Sequence, residues 1–391
     1  MGWERQKPFT VEQPAPLSSG VWLLSGTLTV IAAVLLFILH ASGRLSLLSS
    51  MNIWLFSLSP IVLWLMIFSF RGYLYGRDLD RYQFLQHEAQ HAQQQWTDWA
   101  GRCLAVMSSC VMLPDQISAV LLQQNAKELT QYQNLVRRID YLPQHKPAFV
   151  AAVTSLLSGI EEAVLSLARE FPLQITVLTD ELDASRQSVN AQFADCWQSI
   201  FPARPGPSSL TITDKLSFDT LDERLKQPES TIQLLLVVQL HGNERYSDGL
   251  AALLFTSDDV AYKYSLPHPV RLLRPMPWDV GQIPKELALF LTTQTQALRT
   301  AGILGDAQKW TKSSPELLST GNALGTRWEP DDIRTIETFC GIQGPFSPWL
   351  TAALAADFVI SGQQSWLVVS TTGTEHFICT ITSGSEDEPA K

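Results

Sequence analysis

Charge is scarce in this chain, and the shortage is local. Only 17% of the 391 residues are Asp, Glu, Lys or Arg, and residues 21–40 and 53–70 contain none. Each run is close to the ~20 residues a helix needs to cross a bilayer core. A pair of buried core helices is the alternative, but unbroken apolarity on every face argues against it and for two membrane spans. A cleaved leader fits poorly, because the first run begins after a charged tail and a second follows at once.

The other absences narrow the chemistry. The five cysteines, Cys103, Cys110, Cys196, Cys340 and Cys379, make no CxxC pair and no even framework. That suits a reducing compartment and argues against a thiolate metal site. Setting aside the three basic and two acidic residues before residue 70 leaves 25 basic and 36 acidic, a net of −11 with no basic block. Nucleic acid is therefore not an expected partner. No histidine lies between His268 and His376, and no cysteine between Cys196 and Cys340.

What is present has a clear order. A tail, residues 1–20, precedes a hairpin at 21–70 whose turn is residues 41–52. Arg5 and Lys7 lie before it, Arg44 in its turn, and Arg71, Arg77 and Arg81 after it. The positive-inside bias then predicts a bacterial inner-membrane protein with both termini and the soluble part in the cytoplasm. Trp22, Trp54 and Trp64 include interface anchors, and Pro60 can kink the second span without breaking it. Residues 77–102 read as a juxtamembrane helix leaving the membrane. Its narrow apolar seam is Tyr82, Leu85, Ala89, Ala92, Trp96 and Trp99, suited to a partner helix or to the following domain.

From residue 103 the pattern alternates. Strands are predicted at 103–113, 173–178, 209–214, 231–240, 249–256, 316–320, 365–370 and 377–382. Helices are predicted at 148–171, 185–200, 218–226, 284–301, 331–339 and 348–358. Apolar strands separated by amphipathic helices imply a mostly parallel sheet covered on both faces. The proline-rich residues 266–277 read as the internal boundary, giving halves of about 103–277 and 278–383. Each half ends in two adjacent strands, which suggests an internal duplication.

The stretch LLSTGNALGTRWEPDDIRTIETFCG, residues 317–341, resembles the strand, glycine-threonine turn and helix of the β-ketoacyl synthases, of the thiolase-like superfamily. IPKELALFLTTQTQALRTAGI upstream, PFSPWLTAALAADFVI and LVVSTTGTEHFICTIT downstream, and YSDGLAALLFTS in the first half are similar to further family segments. The resemblance spans residues 209–383 and implies a duplicated αβαβα fold that dimerises through its central sheets. It places Asn322 on the family's first catalytic histidine, Gly344-Pro345-Phe346 on the second, and TITDKLSFDTLDE where the nucleophilic cysteine belongs. Neither imidazole nor thiol carries over. Asn322, Ser217 and His376 are thus candidates for a vestigial pocket, with Ser217 most simply a helix cap. A membrane hairpin before a decayed enzyme fold also resembles accessory proteins of bacterial secretion machines, including type VI systems.

One rival motif is HEAQH, residues 87–91, which matches a zinc-protease pattern with His87 and His91 as ligands and Glu88 as base. The histidines fall opposite the apolar seam, on the wet face, and no third ligand is identifiable. Cys196 reads as a buried structural thiol, Asp331 and Asp332 as residues at the positive end of a helix, and SGSEDEPAK as a solvated end. No cofactor is expected. The chain is expected to be a non-catalytic, membrane-anchored binding or scaffold protein with protein partners at the cytoplasmic face, and a possible homodimer. The competing expectation is an acyl-handling enzyme with a rebuilt site, or a hydrolase built on HEAQH.

Overall fold

The computed structural model describes residues 2–5, 9, 11–42, 52–125, 128–132, 134–181, 186–226 and 231–384. The chain divides into two compact units, one of residues 6–95 and one of residues 1–5 with 96–391. The turn of the hairpin with Arg44, and the acidic end beyond Gly384, lie outside the described residues.

In the smaller unit, α1 (Ser19–Ala41) and α2 (Ile53–Gly101) are each long and apolar enough to cross a membrane. They pack antiparallel, since Phe37 meets Trp54 near one end while Trp22 meets Trp64 and Phe68 near the other. Gly26 lets the Trp64 indole approach, and the indole N–H donates to Ser25 Oγ at 3.0 Å. Leucines such as Leu23 and Leu55 stay about three-quarters exposed (73% and 75%), as lipid-facing side chains would. α2 runs 49 residues without interruption and contains Pro60.

The larger unit is built on one mixed sheet. Its strands are β1 (Cys103–Met112), β2 (Leu173–Thr179), β3 (Ser209–Thr213), β4 (Ile232–Gln239), β5 (Gly249–Ser257), β6 (Val270–Leu273), β7 (Met276–Pro277), β8 (Gly302–Gly305), β9 (Ile333–Thr335), β10 (Trp366–Thr372) and β11 (Glu375–Ser383). The order is β3-β2-β4-β5-β1-β6-β11-β10-β8-β9. Numbered within each half, both halves read 3-2-4-5-1, back to back across the antiparallel β1–β6 pair. In each half the strands flanking position 2 are parallel and the fifth strand is antiparallel to its neighbours. The sheet is therefore mixed rather than mostly parallel, and the duplication is one of topology. The proline-rich stretch holds β6, the first strand of the second half, so the halves meet within it.

Helices complete the layers. They are α3 (Ala119–Asn125), α4 (Ala148–Gly159), α5 (Glu161–Ser166), α6 (Arg186–Ile200), α7 (Thr220–Lys226), α8 (Asp258–Lys263), α9 (Ile283–Thr293), α10 (Lys309–Lys312), α11 (Ser314–Leu324), α12 (Ile336–Cys340) and α13 (Ser347–Gly362). Three hydrophobic clusters define the stacking. α4 and α6 cover the first half from outside, α9 and α11 the second half, and α13 with α3 and α7 forms the layer shared by both. This is the duplicated αβαβα core that the resemblance implies.

Two stretches differ from expectation for local reasons. Residues 316–320 are not a strand but the middle of α11, which opens with Pro at its first turn and closes on Gly325 at φ +108°. Proline inside the start and glycine past the end are helix punctuation. The strand entering the second half's strand-end region is instead β8, four residues with glycine at both ends. Those glycines are steric requirements: a Cβ at Gly302 would strike the Asp332 carbonyl, and one at Gly305 would sit 2.7 Å from the Trp310 ring. Residues 331–339 likewise divide into a 3₁₀ turn (Pro330–Asp332), β9 and α12. The predicted helix at 148–171 breaks at Ile160 into α4 and α5.

Candidate functional site

In an open α/β sheet, ligands and catalytic groups gather beyond the carboxyl ends of the parallel strands. Here both halves carry the same device at that place. Asp180 follows β2 and Asp306 follows β8, each the second strand of its half. The Asp180 N–H donates to Val238 O on β4, and the Asp306 N–H to Val369 O on β10. Each carboxylate then accepts the backbone N–H two residues further along that neighbouring strand, Leu240 N–H at 3.1 Å and Thr371 N–H at 2.6 Å. The duplication thus reaches individual hydrogen bonds.

Asp306 is 1% exposed. Besides Thr371 N–H it accepts the Trp310 indole N–H at 2.7 Å and Ser347 Oγ–H at 2.9 Å. Ser347 begins α13, so the carboxylate ties β8, β10 and the shared central helix together. Burial pushes the Asp306 carboxyl above its usual range, against the pull of Trp310, Thr371, Ser347 and Lys309. At the rim, Lys309 Nζ lies 3.2 Å from His376 Nδ1, which is also 3.3 Å from Thr371 Oγ1. Burial lowers Lys309, partly offset by Asp306. Burial and then Lys309 lower His376, with Asp279 opposing. Glu337 holds the adjoining turn by accepting Gln308 N–H at 2.6 Å.

Where the halves face each other, the space is filled by aromatic side chains. Phe218, just ahead of α7, is 1% exposed and packs on Trp349 at 4.9 Å and Phe377 at 5.8 Å between ring centroids. The Trp349 indole N–H closes the contact by donating to Leu216 O at 3.0 Å. Gln239, at the end of β4, reaches across to accept Phe346 N–H at 3.2 Å, and Gly344 leaves no room there for a side chain.

Of the residues singled out from the sequence, His376 lies in this region. Ser217 stands next to Phe218, but its side chain is exposed and accepts Asp219 N–H at 3.2 Å, a turn-capping role. Asn322 is not at a strand exit. It is exposed in the last turn of α11, where it donates to Trp328 O and accepts from Thr326 Oγ1. It closes its own helix end. His87, Glu88 and His91 are exposed on α2, and among the described residues no three His, Cys, Asp or Glu side chains group as a metal site. Cys103, Cys196, Cys340 and Cys379 are buried and Cys110 half-buried. Burial raises Cys103, Cys340 and Cys379, and raises Cys110 to about 11, so these stay thiols rather than thiolates. Asp306, Lys309, Ser347 and Thr371 escaped the sequence reading. Their only local signal is an aspartate directly after a glycine-bounded apolar tetrapeptide, GILGD.

Solved structures of condensing enzymes align with this chain at very low identity. A cerulenin-bound OleA of Xanthomonas campestris aligns at 9% identity over 73% of this chain and 98% of its own, with a TM-score of 0.45. Ketosynthase twelve of the bacillaene polyketide synthase of Bacillus amyloliquefaciens aligns at 9% over 73% and 74%, TM-score 0.49. The 3-oxoacyl-[acyl-carrier-protein] synthase III of Aquifex aeolicus aligns at 12% over 71% and 99%, TM-score 0.41. No family model and no curated protein sequence matches the chain. At these values the likeness says nothing about chemistry, and the fold rests on the strand order and layers described above.

Proposed function

We propose that this chain is a membrane-anchored, non-catalytic binding protein whose decayed, thiolase-like core offers surface to protein partners. The observation that supports it is the filling of the strand-end region. Phe218, Trp349 and Phe377 occupy the meeting point of the halves, and Asp306 is buried with three donors on it. A carboxylate so held and only 1% exposed is sealed from a substrate, and a phenyl ring offers no nucleophile to acylate. Turnover of an acyl thioester by the purified full-length chain in detergent is the test. Release of at most one equivalent of thiol per chain is expected. Release of many equivalents, or stoichiometric labelling of a cysteine by cerulenin, would overturn the reading.

The membrane arrangement belongs to the same proposal. Residues 1–5 belong to the larger unit. Trp3 packs on Trp99 at 5.2 Å and Phe290 at 5.5 Å, and Arg5 Nη1 donates to Thr293 Oγ1 at 3.3 Å. If α1 and α2 both cross the bilayer, that contact requires tail and core to lie on one side. The basic residues flanking the spans favour the cytoplasm. A protease-protection assay on inverted inner-membrane vesicles should cut a tag at either end, whereas protection of only one end would refute two crossings. Partners are then sought by pull-down from solubilised membranes, with secretion-machine components as first candidates and a second copy of the chain as another.

A further inference from the structure

Lys309 and His376 form a pair that the binding role does not use. They come from different elements, the first residue of α10 and the β10–β11 hairpin, 67 residues apart in sequence. The hairpin is held in place, because Trp278 N–H donates to His376 O at 3.0 Å and His376 pairs in register with Thr371. Beneath lies a rigid aromatic floor: Trp310 stacks on Trp278 at 5.5 Å, faces the His376 ring edge-on at 6.0 Å, and lies 4.9 Å from Lys309 Nζ. Both Lys309 and His376 are half-buried, so neither is sealed from reagents.

We propose that Lys309 is a covalent acyl acceptor that takes an acyl group from a thioester, with His376 as the base. For Nδ1 to accept from both the lysine and the Thr371 hydroxyl, the imidazole proton must be on Nε2. The neutral amine attacks the thioester carbonyl, the C–N bond forms and the C–S bond breaks. The amine's surplus proton passes to His376 Nδ1 and from there to the departing thiolate. No oxidant or metal enters. Charges facing the pair are Asp306 from the end of β8, which favours the ammonium, and Asp279 beside the hairpin, which favours the imidazolium. Desolvation outweighs both and holds Lys309 below the ordinary lysine range, which enlarges its free-amine fraction at neutral pH. The product is an amide, which does not hydrolyse on the time scale of turnover. The modification is therefore stoichiometric and compatible with a binding protein.

The test exposes the full-length chain in detergent to the acetyl thioester of N-acetylcysteamine at pH 7.5, followed by peptide mapping. Lys309 should acylate faster than the exposed Lys146 and Lys285, since His376 Nδ1 lies 3.2 Å from its Nζ to take the proton and burial leaves it more free amine. The pH midpoint of its labelling should lie below theirs. His376→Ala should bring the Lys309 rate down toward that of the reference lysines, and Lys309→Arg should abolish the fast adduct. If Lys309 labels no faster than Lys146, or if its pH midpoint matches theirs in the unaltered chain, the proposal is wrong. Because one equivalent of thiol is released here and many would be released by a working enzyme, the two failures are distinguishable.

Discussion

Asp357 is the residue on which the electrostatic reasoning can be tested most directly. It sits on α13, half-buried, with its carboxylate bonded by Ser109 Oγ–H and the Val111 N–H of β1. Burial raises its pKa from 3.8 to about 6 despite those two bonds. A carboxylate raised in the folded state binds more protons folded than unfolded. Its contribution to stability is therefore greatest below pH 4 and falls as pH rises through about 6. A shift of that size corresponds to roughly 3 kcal/mol at neutral pH, reduced to about 1.5–3 because the residue keeps some solvent contact. Asn at this position can accept Val111 N–H and donate to Ser109 Oγ, whose hydroxyl rotates to suit. Asp357→Asn should therefore stabilise the chain by about 1.5–3 kcal/mol at pH 7.5, and by little at pH 4. Urea denaturation of both proteins in the same detergent, followed by near-ultraviolet circular dichroism at four pH values, reads the difference. Asp248 and Asp306 are raised in the same sense, so part of the slope remains in both proteins and cancels in the comparison. A variant less stable than the parent at pH 7.5, or a stability difference independent of pH, would refute the account.

Further outcomes follow from the same contacts. Asp306→Ala leaves the Trp310 indole N–H and Thr371 N–H without an acceptor while Ser347 keeps Thr371 O, and should cost about 2–4 kcal/mol by urea denaturation. Gly341→Ala should destabilise by about 2 kcal/mol or more, because Gly341 has φ +81° and a Cβ would meet the Leu135 carbonyl and Ser247 Oγ; thermal melting checks it. Arg274 is 1% exposed, paired with Asp222 and 4.0 Å from the Trp99 ring. Arg274→Ala should cost about 1–3 kcal/mol by the same melt, since it leaves the Trp99 carbonyl without its donor and Asp222 with Lys226 alone. His87→Ala with His91→Ala should leave both stability and metal content unchanged, as measured by melting and elemental analysis, since both side chains are exposed.

Much was legible where many residues vote together. The two uncharged runs declared α1 and α2, because a bilayer demands some twenty apolar positions in a row. Long apolar runs declared β1, β2, β4, β5, β10 and β11. What failed is short or punctuated. Asn322 looked like the end of a strand because a small-residue turn follows an apolar pair, yet Pro315 and Gly325 bracket a helix there.

The sequence alone determined the two long apolar helices and the alternation of elements, since each is written in local composition or spacing. Only the tertiary structure decided that GILG is a strand, because its extended form is imposed by parallel partners on both sides, β10 and β9, from distant parts of the chain. The same holds for Asp306 closing on Ser347 and for Lys309 meeting His376. Those contacts join segments dozens of residues apart, and no local propensity encodes a meeting that only the packed sheet creates.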